Sequence, residues 1–100
     1  METSFEWNEQ KNQENQTKHD VSFEEAQDAF SDPNKRLITD LEHSQVEECW
    51  FCLGKITVIR NGELFEGIVT VRFTYRNKKI RIIGAGFWRK GEARYAEKRN

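Results

Sequence analysis

From residue 68 to residue 76 the chain alternates: Val69, Val71, Phe73 and Tyr75 are apolar, and Thr70, Arg72, Thr74 and Arg76 fall between them. A period of two places successive side chains on opposite faces, so this segment reads as a strand with one buried and one solvated face. Something apolar must cover the first face, and Arg72 and Arg76 share the second. Strands are expected on both sides of it, over residues 48–59 and 80–84. Asn61-Gly62 carries the signal of a tight type I′ turn between the first two, and Asn77-Lys78-Lys79 joins the last two. In the last strand, alternation sets Ile80, Ile82 and Gly84 on one side and Arg81 and Ile83 on the other, without deciding which side Arg81 takes.

The first half of the chain reads as mainly helical. Phe5-Glu6-Trp7 is a short strand-like stretch, and Asn8 can cap a polar helix from residue 9 to about residue 19. That helix has few apolar residues and is expected on the surface, held by Trp7 and by its ends. Ser22-Phe23-Glu24-Glu25 is a capping box, in which Ser22 accepts from the Glu25 amide and Glu25 reaches back to the Ser22 amide. Phe23, Ala26, Ala29 and Phe30 follow at helical spacing until Ser31-Asp32-Pro33 ends the run. A short strand at residues 36–39, a polar loop at 40–44, a bend at Gly84-Ala85-Gly86 and a C-terminal helix over 92–98 complete the order. The expectation is an α+β fold: two N-terminal helices packed on an antiparallel β-sheet meander, with a short C-terminal helix.

Charge divides along the chain. Residues 1–50 hold thirteen Asp or Glu against four Lys or Arg, a balance of −9, and residues 51–100 hold twelve basic against four acidic, a balance of +8. A basic half of this density suits a polyanion; the competing reading is that the two halves neutralise each other on folding. At 100 residues the chain is expected to form one domain over 1–100. It carries no apolar run long enough to span a membrane and opens with no signal-peptide pattern, so a cytoplasmic location is expected. Cys49 and Cys52 form a Cys-x-x-Cys, but on a strand three-residue spacing sends the two thiols to opposite faces. They read as packing residues rather than a redox pair or a metal site.

Several stretches together resemble one family: Phe5-Glu6-Trp7-Asn8 with Lys11-Asn12, Lys18-His19, Val21-Ser22-Phe23-Glu24-Glu25-Ala26, Phe30, Asp32-Pro33, Glu42-His43-Ser44, Arg76 and Ile80-Arg81-Ile82-Ile83. In this order they resemble the BrnT toxins of bacterial type II toxin-antitoxin modules, from residue 5 to about residue 97. The resemblance implies a RelE-like fold, ribonuclease activity that arrests translation, no cofactor, and neutralisation by a BrnA-type antitoxin with a ribbon-helix-helix domain. It further implies a hetero-oligomer of toxin and antitoxin that meets promoter DNA through the antitoxin. The chain departs from the family's usual pattern at Gly84 and Gly86, where a Ser and an Arg are common, and its 55–67 segment is longer.

RNA cleavage without a metal needs a base for the 2′-hydroxyl proton, an acid for the leaving oxygen, and cations that stabilise charge on phosphorus. Histidine titrates nearest neutrality, so His19 and His43 are the candidates for proton transfer, with Lys18 and Tyr75 in reserve. Arg76 and Arg81 are candidates for stabilising the phosphate, since guanidinium grips two oxygens together. Arg72, Lys78, Lys79, Arg89 and Lys90 are candidates for RNA binding. Phe87, Trp88 and Tyr95 either stack on unpaired bases or seal the lower edge of the core; Trp7 and Trp50 are assigned to packing. The alternative to a nuclease is a binding module for RNA or antitoxin in which Gly84 and Gly86 signify lost catalysis.

Overall fold

A computed structural model of the chain describes residues 3–40 and 48–97. The elements run β1 (Phe5–Glu6), α1 (Glu9–His19), α2 (Phe23–Ala26) continued by a 3-10 turn at Gln27–Ser31, β2 (Arg36–Asp40), β3 (Cys49–Arg60), β4 (Glu63–Arg76), β5 (Lys79–Gly86) and α3 (Arg89–Ala96). They form one open sheet in the order β1-β5-β4-β3-β2. The α+β expectation holds, with one correction to the meander. β2 to β5 are antiparallel neighbours, but β1 adds to β5 in parallel, pairing Phe5 with Ile80 and Glu6 with Arg81, so the sheet is mixed. Both tight turns form as their residues require: Asn61 and Gly62 have φ of 53° and 78°, and Asn77 and Lys78 have 53° and 65°. Positive φ at both central positions is the type I′ signature, which matches the twist of the strands it joins.

The inner sheet face holds the core. Cys52, Ile56 and Val58 of β3, Val69, Val71 and Phe73 of β4, and Ile80, Ile82 and Ala85 of β5 are buried with Val21, Phe23, Ala26 and Ala29. Phe73 meets Phe30 edge-on at 5.0 Å and Trp50 in a stack at 5.9 Å, so Trp50 packs as expected. α2 is anchored by the capping box, with the Glu25 amide 3.0 Å from Ser22 Oγ and the Ser22 amide 3.0 Å from Glu25 Oε1. Glu25 also receives two hydrogen bonds from Arg60, at 2.8 and 3.0 Å, which tie the β3–β4 turn to the start of α2. Those bonds hold the Glu25 carboxyl below its ordinary value and raise Arg60.

α1 matches the expected bounds but not the expected attachment. Its two buried residues, Asn12 and Asn15, are polar. Asn12 accepts from the Phe23 amide at 2.8 Å and donates to Glu24 at 2.9 Å. Asn15 donates to the carbonyls of Val21 and Ala85 and accepts from the Ala85 amide. Its side-chain amide thus offers Ala85 both bonds that a neighbouring strand would have made. Where β1 ends, α1 takes over the edge of β5 and satisfies backbone groups that would otherwise be left open.

The outer face differs from the expectation in two respects. α3 packs on this face, not with the other helices: a side chain at Gly91 would collide with Thr70 Oγ1, so only glycine allows the helix to approach so closely. α3 begins at Arg89, earlier than expected, and its end is held by Arg36, which donates to the Arg94 carbonyl, and by the Tyr95 hydroxyl, which donates to Asp32. Secondly, a bulge between Arg72 and Phe73 shifts the β4–β5 register: Ile82 lies opposite Phe73, but Gly84 lies opposite Arg72. The extra residue moves Gly84 to the face of Arg81 and turns Ala85 inward, contrary to simple alternation.

Candidate RNA-cleavage site

Three rows of residues cross the outer face. Cys49, Thr74 and Arg81 form the first, Phe51, Arg72 and Gly84 the second, and Leu53, Thr70 and Gly86 the third. α3 roofs the third row and α1 flanks the second, which leaves two adjoining clefts. The first, of about 360 Å³, is lined by Lys11, Lys18 and His19 of α1 together with Arg72, Gly84 and Trp88. Asn15, Phe51 and Ile83 supply its remaining walls, with Glu14 as its one carboxylate among the described residues. The second, of about 590 Å³, lies between α3 and strands β2 and β3; Ile38, Phe51 and Leu53 make most of its wall apolar, Thr39, Asp40 and Thr70 add polar groups, and Lys90 and Arg94 border it. Arg72 Nε is buried in the first region without a hydrogen-bond partner among the described residues.

Trp88 lines both clefts. Three adjacent atoms of its six-membered ring lie 2.5, 2.6 and 2.7 Å from where a Cβ on Gly86 would sit. Such even distances mean that Gly86 faces the plane of the ring, not its rim. The indole therefore occupies the space of any side chain at position 86. His19 meets it edge-on at 5.1 Å. At position 84, by contrast, a Cβ would have nothing within 4 Å.

Of the residues singled out from sequence, Lys18, His19 and Arg72 come together in the first cleft, and Lys90 borders the second. Arg81 lies on the same face one row away, with Nη1 3.6 Å from Glu6 Oε2. Arg76, Lys78 and Lys79 gather at the β4–β5 turn and line neither cleft, and Arg89 opens α3. Tyr75 stands on the inner face against Trp50 and Phe73, away from Arg72. His43 and its loop lie outside the described residues. Phe87 and Tyr95 pack, the former edge-on against Phe65 at 5.7 Å. Part of the charge asymmetry is neutralised within the fold, since Arg60 and Arg81 pair with acidic residues of the first half; Arg72 and Lys90 border the clefts.

Cys49 and Cys52 are placed as packing residues of the sheet. Both are buried and turned to opposite faces through pairing with Thr74 and Val71, and burial pushes the Cys52 thiol up to about 12. Among the described residues no three His, Cys, Asp or Glu side chains are grouped to hold a metal ion.

Residues 7–92 match the family model described as the ribonuclease toxin BrnT of a type II toxin-antitoxin system. The chain belongs to the BrnT toxin family. No curated protein matches it closely enough to be compared. The BrnT match contains α1, the first cleft, Trp88 and all of the second cleft's lining except Arg94, and ends inside α3. Two contributors to this BrnT cleft escaped the sequence reading. Lys11 is two helical turns before Lys18, a spacing that puts both on one side of α1 and was available from sequence. Phe51 was not, because its place depends on strand register.

Proposed function

We propose that this BrnT-family chain is a metal-independent endoribonuclease that arrests translation and works at the cleft between α1 and the outer sheet face. The observation that carries the proposal is the convergence of Lys18, His19 and Arg72 in one cleft of a chain from a ribonuclease-toxin family. RNA cleavage proceeds when the 2′-hydroxyl gives up its proton, its oxygen bonds to phosphorus, and the bond to the 5′-oxygen breaks as that oxygen gains a proton. The products are a 2′,3′-cyclic phosphate and a 5′-hydroxyl. His19 takes part in proton transfer, and His43 is the second candidate by resemblance. Arg72, with Lys18 and Lys11, stabilises the added negative charge, where fixed cations act most strongly. Arg81 and Lys90 extend the positive surface, and Arg76, Lys78, Lys79 and Arg89 guide more distant phosphates.

A BrnA-type antitoxin of the ribbon-helix-helix class is proposed to cover the same face, joining a cytoplasmic hetero-oligomer that binds promoter DNA through the antitoxin. The test is cleavage of cellular RNA by the purified chain in EDTA, with His19→Ala and Arg72→Ala compared with the parent. Cleavage that both substitutions lower at least tenfold supports the reading; a folded protein that leaves RNA intact sinks it. In the latter case the second reading applies, a binding module without nuclease activity. Two observations favour that alternative: position 84 offers no side chain to the cleft, and the site of the family's usual Arg at 86 is filled by Trp88.

A further inference from the structure

We propose that Trp88 is the stacking platform for an unpaired nucleobase, which enters the apolar cleft while the adjacent phosphate lies in the cationic one. The inference rests on the RNA-binding part of the function proposed above and specifies how a single strand is seated. Trp88 is 41% exposed although one plane of its ring is pressed onto Gly86. An indole that merely sealed the core would be covered, as Phe87 is in part by Phe65. Trp88 instead stands where the two clefts meet, with Lys18, His19 and Arg72 on one side and Ile38, Phe51 and Leu53 on the other. A nucleotide has the same division, an apolar planar base joined through a sugar to an anion.

The backbone fixes the platform. Gly86 sits in β5 opposite Thr70, and its lack of a side chain lets the ring lie flat on the strand. His19 restrains the ring from the α1 side. A rigid aromatic plane loses little freedom when a base stacks on it, and stacking of this kind tolerates any base sequence. Recognition by Trp88 therefore selects unpaired RNA over duplex, whose bases already stack on one another.

The test uses the full chain and a six-nucleotide single-stranded RNA carrying 2′-O-methyl groups, which binds without being cut. An abasic strand with the same number of phosphates is the control. Trp88→Ala is expected to weaken binding of the normal strand roughly 10- to 100-fold, the range for loss of one stacked base, and to leave the abasic strand unaffected. The slope of log affinity against log salt should not change, because no phosphate contact is removed. Trp88→Phe should keep most of the affinity. Gly86→Ala, which forces the ring off the strand, should act like Trp88→Ala.

RNA should also quench tryptophan emission in the parent, and Trp88→Phe should abolish the quenching, a readout that survives if Trp88→Ala fails to fold. Equal binding of normal and abasic strands, unchanged affinity in Trp88→Ala, or quenching that persists in Trp88→Phe would each overturn the platform. Failure of the nuclease reading looks different: Trp88-dependent binding without any cleavage of unmodified RNA leaves the platform standing. Cleavage that is indifferent to Trp88 removes the platform and leaves the nuclease.

Discussion

The two faces of β4 come from one nine-residue alternation and have opposite fates. On the inner face Val69, Val71 and Phe73 are packed against α2 and its 3-10 extension until hardly any of their surface is accessible. On the outer face Arg72 opens into a cleft, and its Nε lacks a hydrogen-bond partner among the described residues. Among the described residues, the buried side-chain polar atoms without a hydrogen-bond partner, Arg72 Nε and Thr70 Oγ1, both belong to the outer face. Buried polar groups are nearly always bonded, and Arg72, which opens into the cleft, is where water or a ligand could supply the bond.

If this division holds, substitutions on the two faces should separate stability from activity. Phe73→Ala, at the centre of the inner face, should cost about 3–5 kcal/mol, read from urea denaturation. Asn15→Ala is the next largest and should cross the divide. It strips partners from the Val21 carbonyl and from both backbone groups of Ala85, for a loss on the order of 2–3 kcal/mol. Because α1 also brings Lys18 and His19 to the cleft, RNA cleavage should fall in the same variant. A stable Asn15→Ala would mean that α1 is held otherwise.

Arg72→Ala sharpens the contrast from the outer side. Its free energy of unfolding should change by less than about 1 kcal/mol, while the dependence of RNA binding on log salt should lose about one phosphate contact. An unchanged slope would take Arg72 out of the binding surface. The smallest effect concerns the polar rim of the inner face, where Arg60 grips Glu25. The folded Glu25 carboxyl titrates below its ordinary value of 4.5, so the stability it adds is present above that value and is lost as pH falls through the lower folded value. Glu25→Gln should therefore shrink the gap between denaturation midpoints at pH 7 and pH 3. An identical gap in parent and variant would assign the acid sensitivity to other carboxylates.

The elements that sequence reading captured are those whose signals are local. The alternation of β4, the type I′ turn at Asn61-Gly62, the tight turn after Arg76 and the capping box of α2 each depend on a few neighbouring residues, and each formed as expected. The attachments it missed, including the pairing of the strand-like Phe5–Glu6 stretch, depend on partners far along the chain. β1 is two residues long and joins β5 across more than seventy positions. Asn12 and Asn15 give no apolar periodicity, so the face by which α1 is attached could not be seen. The fit of Trp88 over Gly86 needs the backbone path after β5. For the site, Lys18, His19 and Arg72 were all named from sequence, but their meeting depends on α1 lying along an edge of the sheet, which only the Asn15–Ala85 bonds explain.

The bulge at the centre of β5 works like a frameshift in a written message. Before Ile83 the odd-numbered residue Arg81 is spelled toward the outer face; after it, the even-numbered Gly84 and Gly86 are. One inserted residue thus rewrites which letters the cleft can read, with no change to the letters themselves. Were Ile83 taken into the ladder opposite Arg72, simple alternation would return and Ala85 would turn outward, setting its methyl where Trp88 now lies and withdrawing its backbone from Asn15. A single residue of chain length, with no chemistry of its own, keeps the helix, the indole and the arginine in the same sentence.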